Sequence, residues 1–360
     1  MMNRELQPYL SQIRPLDEKS MEMAYLKWSK VAKPLNSLGI LEECIIKIAG
    51  IRETWQPHIE KRALLILCSD NGIVEEGVTQ TGQEVTAIVT ENMTEGNSSV
   101  CIMAEQAKVD VFPVDMGVAR DLKPGTRYEL ISKKVSYGTK NFRKEPAMTR
   151  AEAVKSIIAG INLVEELAEK GYRLIATGEM GIGNTTTSSA VSSMILKKNP
   201  EELTGRGAGL SDEGLGRKVQ VIREAIEKYG SECRDVVDIL AHVGGFDLAG
   251  LTGVFIGGAV CRIPILVDGF ISASAALCAE RIYPGCRDYM LASHVSAEPA
   301  GKLLLDELGL TPFIQAGMCL GEGSGAVAAI PLIDMAYGVY KKMSSFQDIC
   351  IEEYKPLGGI

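Results

Sequence analysis

Residues 173–186 read Arg-Leu-Ile-Ala-Thr-Gly-Glu-Met-Gly-Ile-Gly-Asn-Thr-Thr. The short apolar run Arg173 to Thr177 stops at Gly178, and a glycine-rich turn then leads into helix-compatible sequence. A brief continuous apolar run bounded by turn residues is the mark of a strand buried on both faces. The pattern recurs at Ala63 to Cys68, ending at Ser69-Asp70; at Val109 to Val114, ending at Asp115; and at Ile263 to Val267, ending at Asp268. Longer amphipathic segments lie between. One of them, Arg150 to Lys170, opens with the capping-box pair Thr149 and Glu152, whose side chains can satisfy free N–H groups at a helix start. Strand–helix alternation predicts an α/β fold, a parallel sheet with helices on both faces. Ligands in such sheets sit beyond the carboxyl ends of the strands. The polar and glycine residues that end these runs are therefore where chemistry is expected.

Outward from this core, Met21 to Val31 and Leu38 to Ile51 read as helices separated by Lys33-Pro34-Leu35-Asn36. Ala326 to Tyr340 is helical and apolar on one face, and is expected to pack back on the amino-terminal helices. The stretch Gly250 to Val267 is the longest apolar one. Its glycines, Arg262 and the terminal Asp268 make it a buried helix followed by a strand, not a membrane span. Met1 to Ser20 lacks the apolar core of a signal peptide.

With 46% hydrophobic residues in 360, the chain can bury a large core. Its net charge of −8 argues against gripping nucleic acid but leaves room for a phosphorylated small molecule. The nine cysteines form no CxxC pair, and the three histidines are far apart in sequence. A disulfide framework or metal site is not expected, and reduced thiols fit the cytoplasm.

Four segments could carry chemistry. Gly178 to Thr186 offers a close backbone and free N–H groups for an anion, or is a tight turn with no ligand. It is no Walker A loop, and Thr186 spoils a dinucleotide fingerprint. Thr204 to Asp212 alternates glycines ahead of a Ser N-cap. Arg217 and Lys218 follow on the helix, as a charge source or a solvated pair. Ser293 to Pro299 sets hydroxyls before a helix, and His294 reads as packed rather than catalytic. Leu320 to Ala326 holds one carboxylate, Glu322, between glycines, as a ligand contact or a surface turn.

Several of these motifs occur in the order of a known family. They are Lys33-Pro34…Ser37-Leu38-Gly39, Glu76-Gly77-Val78, Gly178-Glu179-Met180-Gly181…Asn184-Thr185-Thr186 and Val243-Gly244-Gly245-Phe246-Asp247. Leu266 to Phe270, Ser293-His294…Ser296-Ala297-Glu298 and Leu320 to Ala326 complete the set. Together they resemble the nicotinate-nucleotide–dimethylbenzimidazole phosphoribosyltransferase family from Lys33 to about Ala336. The resemblance implies a large α/β domain over 61–325 and a small helical domain from 1–60 with 326–360. It implies a dimer and no metal, and with the charge, hydropathy and thiols already described the expectation is a cytoplasmic homodimer with no cofactor, no nucleic acid and no membrane. The implied reaction moves the phosphoribosyl group of nicotinate mononucleotide onto an aromatic base such as 5,6-dimethylbenzimidazole, in cobalamin lower-ligand synthesis.

The resemblance implies Glu322 as general base. It implies phosphate or nucleotide contacts at Glu179, Gly181, Gly183, Lys218, Asp268, Gly269 and Ser296, and a base pocket at Thr81, Val89, Met180 and Leu320. The chain departs from the family at Asn71, where the family often has His; at Cys319, where Arg is common; and at Val89, where Gln can occur. These departures bear on the choice of base. Two other readings stand beside this one: a partner subunit that keeps the fold without activity, and a nicotinamide-dependent dehydrogenase. The intact Glu322 disfavours the first, and the missing fingerprint disfavours the second.

Overall fold

The computed structural model describes residues 4–354. Residues 1–3 and 355–360, which belong to the expected small helical domain, lie outside the described residues.

One six-stranded sheet organises the chain. Its strands are β1 (Arg62–Ser69), β2 (Asp110–Gly117), β3 (Ile131–Ser132), β4 (Leu174–Met180), β5 (Ile265–Val267) and β6 (Met290–Ala292), in the order β3-β2-β1-β4-β5-β6. Every pairing is parallel. The four strands read from sequence are β1, β2, β4 and β5. The other two are only two and three residues long, too short to show a pattern of their own. β5 starts at Ile265 rather than Ile263, after Pro264, which has no N–H to give a ladder.

β1 explains why the runs are continuously apolar. Ala63, Leu65 and Leu67 join the core on one face, and Leu64, Ile66 and Cys68 join the core on the other. All eight of its residues are buried. On the first face the helices Arg150–Glu169 and Phe246–Cys261 cross almost backbone to backbone. A Cβ at Gly253 would stand 1.9 Å from the Ile157 carbonyl oxygen. That close approach, not membrane insertion, accounts for the glycines of this apolar stretch. Among the described residues no helix is long and apolar enough to cross a membrane. The capping box at Thr149 and Glu152 forms as expected.

On the other face the helices Glu18–Lys30, Ile40–Arg52 and Ser324–Lys342 come together, so the two chain ends meet. The Trp28 and Tyr340 rings lie 5.0 Å apart, and Ala32 N–H donates to the Ser344 carbonyl at 2.9 Å. The nine cysteines are all free.

The strand order reverses between β1 and β4. The turns after β4, β5 and β6 open on one side of the sheet, where an open parallel sheet receives a ligand.

Candidate functional site

A cleft lies over those turns. It is lined by Glu179, Met180 and Gly181 after β4; by Asp268 and Gly269 after β5; by Ser296 after β6; and by Cys319, Leu320 and Glu322 from the turn before the last helix. Most of the residues expected in the site thus come together. Gly183 and Thr81 line an adjoining recess with Arg206 and Gly207. Val89 lines neither. It packs, partly buried, against the hydrophobic core of the second face, so its replacement of a polar family residue does not reach this cleft directly.

Lys218 reaches Thr185, a residue that lines both the cleft and the adjoining recess, without lining either itself. It sits on the helix Asp212–Tyr229, whose Ser211 cap accepts from Gly214 N–H at 3.1 Å. Its Nζ donates to Thr185 Oγ1 at 2.8 Å and to the Gly205 carbonyl at 3.1 Å. The side chain is 1% exposed, and among the described residues it forms no salt bridge. Burial pushes its ammonium down to about 8, with Glu298 opposing. An ammonium buried without an ion pair is costly, and an arriving anion would offset that cost. The neighbouring Arg217 is exposed and bonds Glu213 and the Gly77 carbonyl. The solvated reading therefore holds for Arg217 and fails for Lys218.

Glu322 lines the cleft itself. It has φ +61° between Gly321 at +82° and Gly323 at +93°. Its Oε2 accepts from Val100 N–H at 3.3 Å, in the first turn of the helix Ser99–Ala107. Burial raises its pKa from the ordinary glutamate value, and Asp268 adds to the rise. It is half-buried rather than a solvated surface turn. The turn rests on β4 because Gly178 has no side chain: a Cβ there would be 2.3 Å from the Glu322 carbonyl oxygen.

More acids lie nearby. Glu179 is buried, and burial pushes its carboxyl up to about 8, with Asp247, Asp268 and Glu322 adding repulsion. Asn184 Nδ2 donates to it. Asp247 is fully buried and raised to about 7, again by burial. Asp268 lines the cleft, yet its two oxygens accept backbone N–H groups from Gly323, Gly325 and Ala326. Ser296 Oγ accepts from Glu298 N–H at 3.3 Å. His294 is 3% exposed and burial lowers its pKa, yet it lines the cleft together with Ser296.

Sequence reading missed Asn184, Thr185 and Asp247 as individual site groups. They stood inside the quoted motifs, but no spacing rule distinguishes a motif residue that aligns a neighbour from one that simply packs. A roomier groove of about 760 Å³ lies between the helices Asn184–Leu196 and Asp212–Tyr229. Its arginines, Arg223, Arg234 and Arg281, are already paired with Glu201, Asp238 and Glu307. Among the described residues no group of His, Cys, Asp and Glu could hold a metal ion.

A family model described as Phosphoribosyltransferase matches residues 13–351. The chain belongs to this phosphoribosyltransferase family. A relative from Acetivibrio thermocellus is 46% identical over 347 residues, covering 96% of this chain and 98% of the relative. One from Escherichia coli (strain K12 / DH10B) is 42% identical over 336 residues, covering 93% and 92%. Both are named nicotinate-nucleotide–dimethylbenzimidazole phosphoribosyltransferase. A crystal structure of CobT from Thermus thermophilus superposes with a TM-score of 0.87 at 33% identity, covering 93% of this chain and all of that one. This phosphoribosyltransferase therefore has the α/β fold read from its strand runs, and is an enzyme acting on small molecules.

Proposed function

We propose that this phosphoribosyltransferase moves the phosphoribosyl group of nicotinate mononucleotide to an aromatic base such as 5,6-dimethylbenzimidazole. The products are an α-ribazole-type 5′-phosphate and nicotinate, a step of cobalamin lower-ligand synthesis. The relatives' names support the substrates. The observation that carries the reading is a pair of groups: a buried ammonium in no salt bridge among the described residues, bonded to the cleft residue Thr185, and a half-buried carboxylate, Glu322, that lines the cleft.

Lys218 pairs with the 5′-phosphate, aided by the Gly181 and Gly183 turn, Gly269 and Ser296. Met180, Leu320 and Thr81 flank the incoming base. Nicotinate leaves as a neutral ring from a pyridinium and needs no acid. The azole nitrogen attacks the anomeric carbon from the opposite face, which inverts the β-nucleotide to an α-product. The proton on the base's other ring nitrogen passes to Glu322, which leaves the product neutral at the ring, and the raised pKa makes Glu322 a more effective base. Orientation of both substrates in one cleft supplies much of the remaining rate. Glu179, whose carboxyl is pushed up by burial and by the acids around it, faces the nucleotide from the end of β4.

The enzyme works as a cytoplasmic homodimer, its small helical domain formed by residues 1–60 with 326–360 and its catalytic domain by 61–325. The deciding experiment follows nicotinate release and α-nucleotide formation with 5,6-dimethylbenzimidazole, purines and phenols as acceptors. Nucleotide binding without any turnover would instead favour an inactive partner subunit. Light scattering tests the dimer, which should weigh twice the 38.8 kDa chain.

A further inference from the structure

A general base must be held still, yet Glu322 stands on a poorly supported kind of backbone. Left-handed φ is unfavourable for a residue with a Cβ, and the glycines on either side supply no side-chain packing. Within the turn itself, Ser324 N–H donates to the Gly321 carbonyl at 3.0 Å. The main support comes from another element.

That support is Asp268, the residue after β5. Its side chain is buried. Oδ1 accepts from Gly325 N–H at 2.7 Å and Ala326 N–H at 2.9 Å, and Oδ2 accepts from Gly323 N–H at 3.2 Å. These are the N-cap and first-turn groups of the helix Ser324–Lys342, whose donors have no partner inside the helix. A carboxylate also suits the positive end of the helix. Asp268 is itself fixed. Its N–H donates to Ser272 Oγ at 3.2 Å, and β5 is paired on both edges, with β4 and β6. Both of its oxygens are therefore committed before any substrate arrives.

We propose that Asp268 is the positioning residue for Glu322, a single carboxylate that ties the base-bearing turn to the end of β5. The proposal rests on reading Glu322 as the base. Asp268 also shapes the charge around it. The titratable groups near Glu322 are Glu179 on β4, Asp268 after β5, Cys101 on the helix Ser99–Ala107, and His294, packed against Gly325. Burial is the main cause of the raised Glu322 carboxyl and Asp268, itself pushed up to about 6 by burial, adds to it. Removing Asp268 lowers the pKa of Glu322, so the acid limb of the kcat profile moves to lower pH.

The test compares wild type, Asp268→Asn, Glu322→Gln and the double variant for kcat across pH, for nicotinate mononucleotide binding and for Tm. Asp268→Asn keeps the shape and sets an amide N–H2 against a backbone donor. It should lower kcat about 10²-fold, as a misplaced catalytic group does. Nucleotide binding should be retained and the acid limb should move down. The double variant should be no slower than Glu322→Gln, because both changes act through one group. Fully additive losses, an unmoved acid limb, or wild-type kcat in Asp268→Asn would overturn the proposal. Wild-type kcat in Glu322→Gln is a different result, since it removes the base reading itself. If Asp268→Asn does not fold, Asp268→Glu keeps the charge and lengthens the arm. It should lower kcat with the acid limb in place, and undiminished kcat there would overturn the proposal.

Discussion

Lys218→Met separates what Lys218 does for binding from what it costs the fold. Methionine keeps the buried aliphatic stem and removes the charge. Burial takes the ammonium from 10.5 down to about 8. That difference amounts to roughly 3 kcal/mol of destabilisation when the group is charged. The sign follows from proton binding. Between pH 8 and 10.5 the unfolded chain holds the proton that the folded chain has released, so wild-type stability rises with pH in that window. The cost is fully present at pH 7 and should shrink by roughly 2 kcal/mol by about pH 9.5. Lys218→Met has no such term. Its own loss of the bonds to Thr185 and Gly205 is the same at both pH values. Urea unfolding of the ligand-free proteins at about pH 7 and about pH 9.5 should therefore show wild type gaining on the variant as pH rises. With substrate, the lost charge-assisted contact is worth about 1.5–3 kcal/mol, or roughly 10–150-fold in the KM for nicotinate mononucleotide. The KM for the base should hardly change. An unaltered nucleotide KM refutes the phosphate assignment. A stability difference that does not change with pH refutes the buried-charge reasoning.

Glu322→Gln should fold and bind nicotinate mononucleotide but lose kcat by about 10²–10⁴-fold; a near-wild-type rate of nicotinate release would return the turn to a structural role. Because the Glu322 carboxyl is raised and must be ionised to act, wild-type kcat should fall with acid at a pH above the usual glutamate range. Gly178→Ala places a methyl 2.3 Å from the Glu322 carbonyl oxygen, so it should displace the base and depress kcat more than nucleotide binding; unchanged kcat would show that the turn does not rest on β4 as described. Cys319 is exposed at the mouth of the cleft. N-ethylmaleimide should therefore inhibit wild type, the aromatic base should protect it, and Cys319→Ser should resist, whereas equal inhibition of Cys319→Ser would move the sensitive thiol elsewhere.

The strands that organise the fold were legible because burial on both faces leaves no alternation, only a short apolar run with an abrupt polar end. β1, β4 and the capping box at Thr149 are local patterns, and a sequence states local patterns directly. The motif glycines and Glu322 stood out for the same reason. β3 and β6 did not, since two or three residues carry no periodicity and exist as strands only through the neighbours they pair with.

Tertiary structure alone decided which polar residues are alone and which are partnered. Lys218 and Arg217 are adjacent in sequence and look alike, yet helix packing buries one beneath Thr185 and leaves the other in solvent beside Glu213. Val89 looked like a pocket residue and faces the core, while Asp268 looked like a substrate contact and has both oxygens bonded to the helix behind Glu322. A residue's type fixes what it can donate or accept. Whether that capacity is free depends on donors brought near from 55 to 58 residues away along the chain, as they are for Asp268. Only the packing of β5 beside β4, with the last helix laid across their ends, sets that distance.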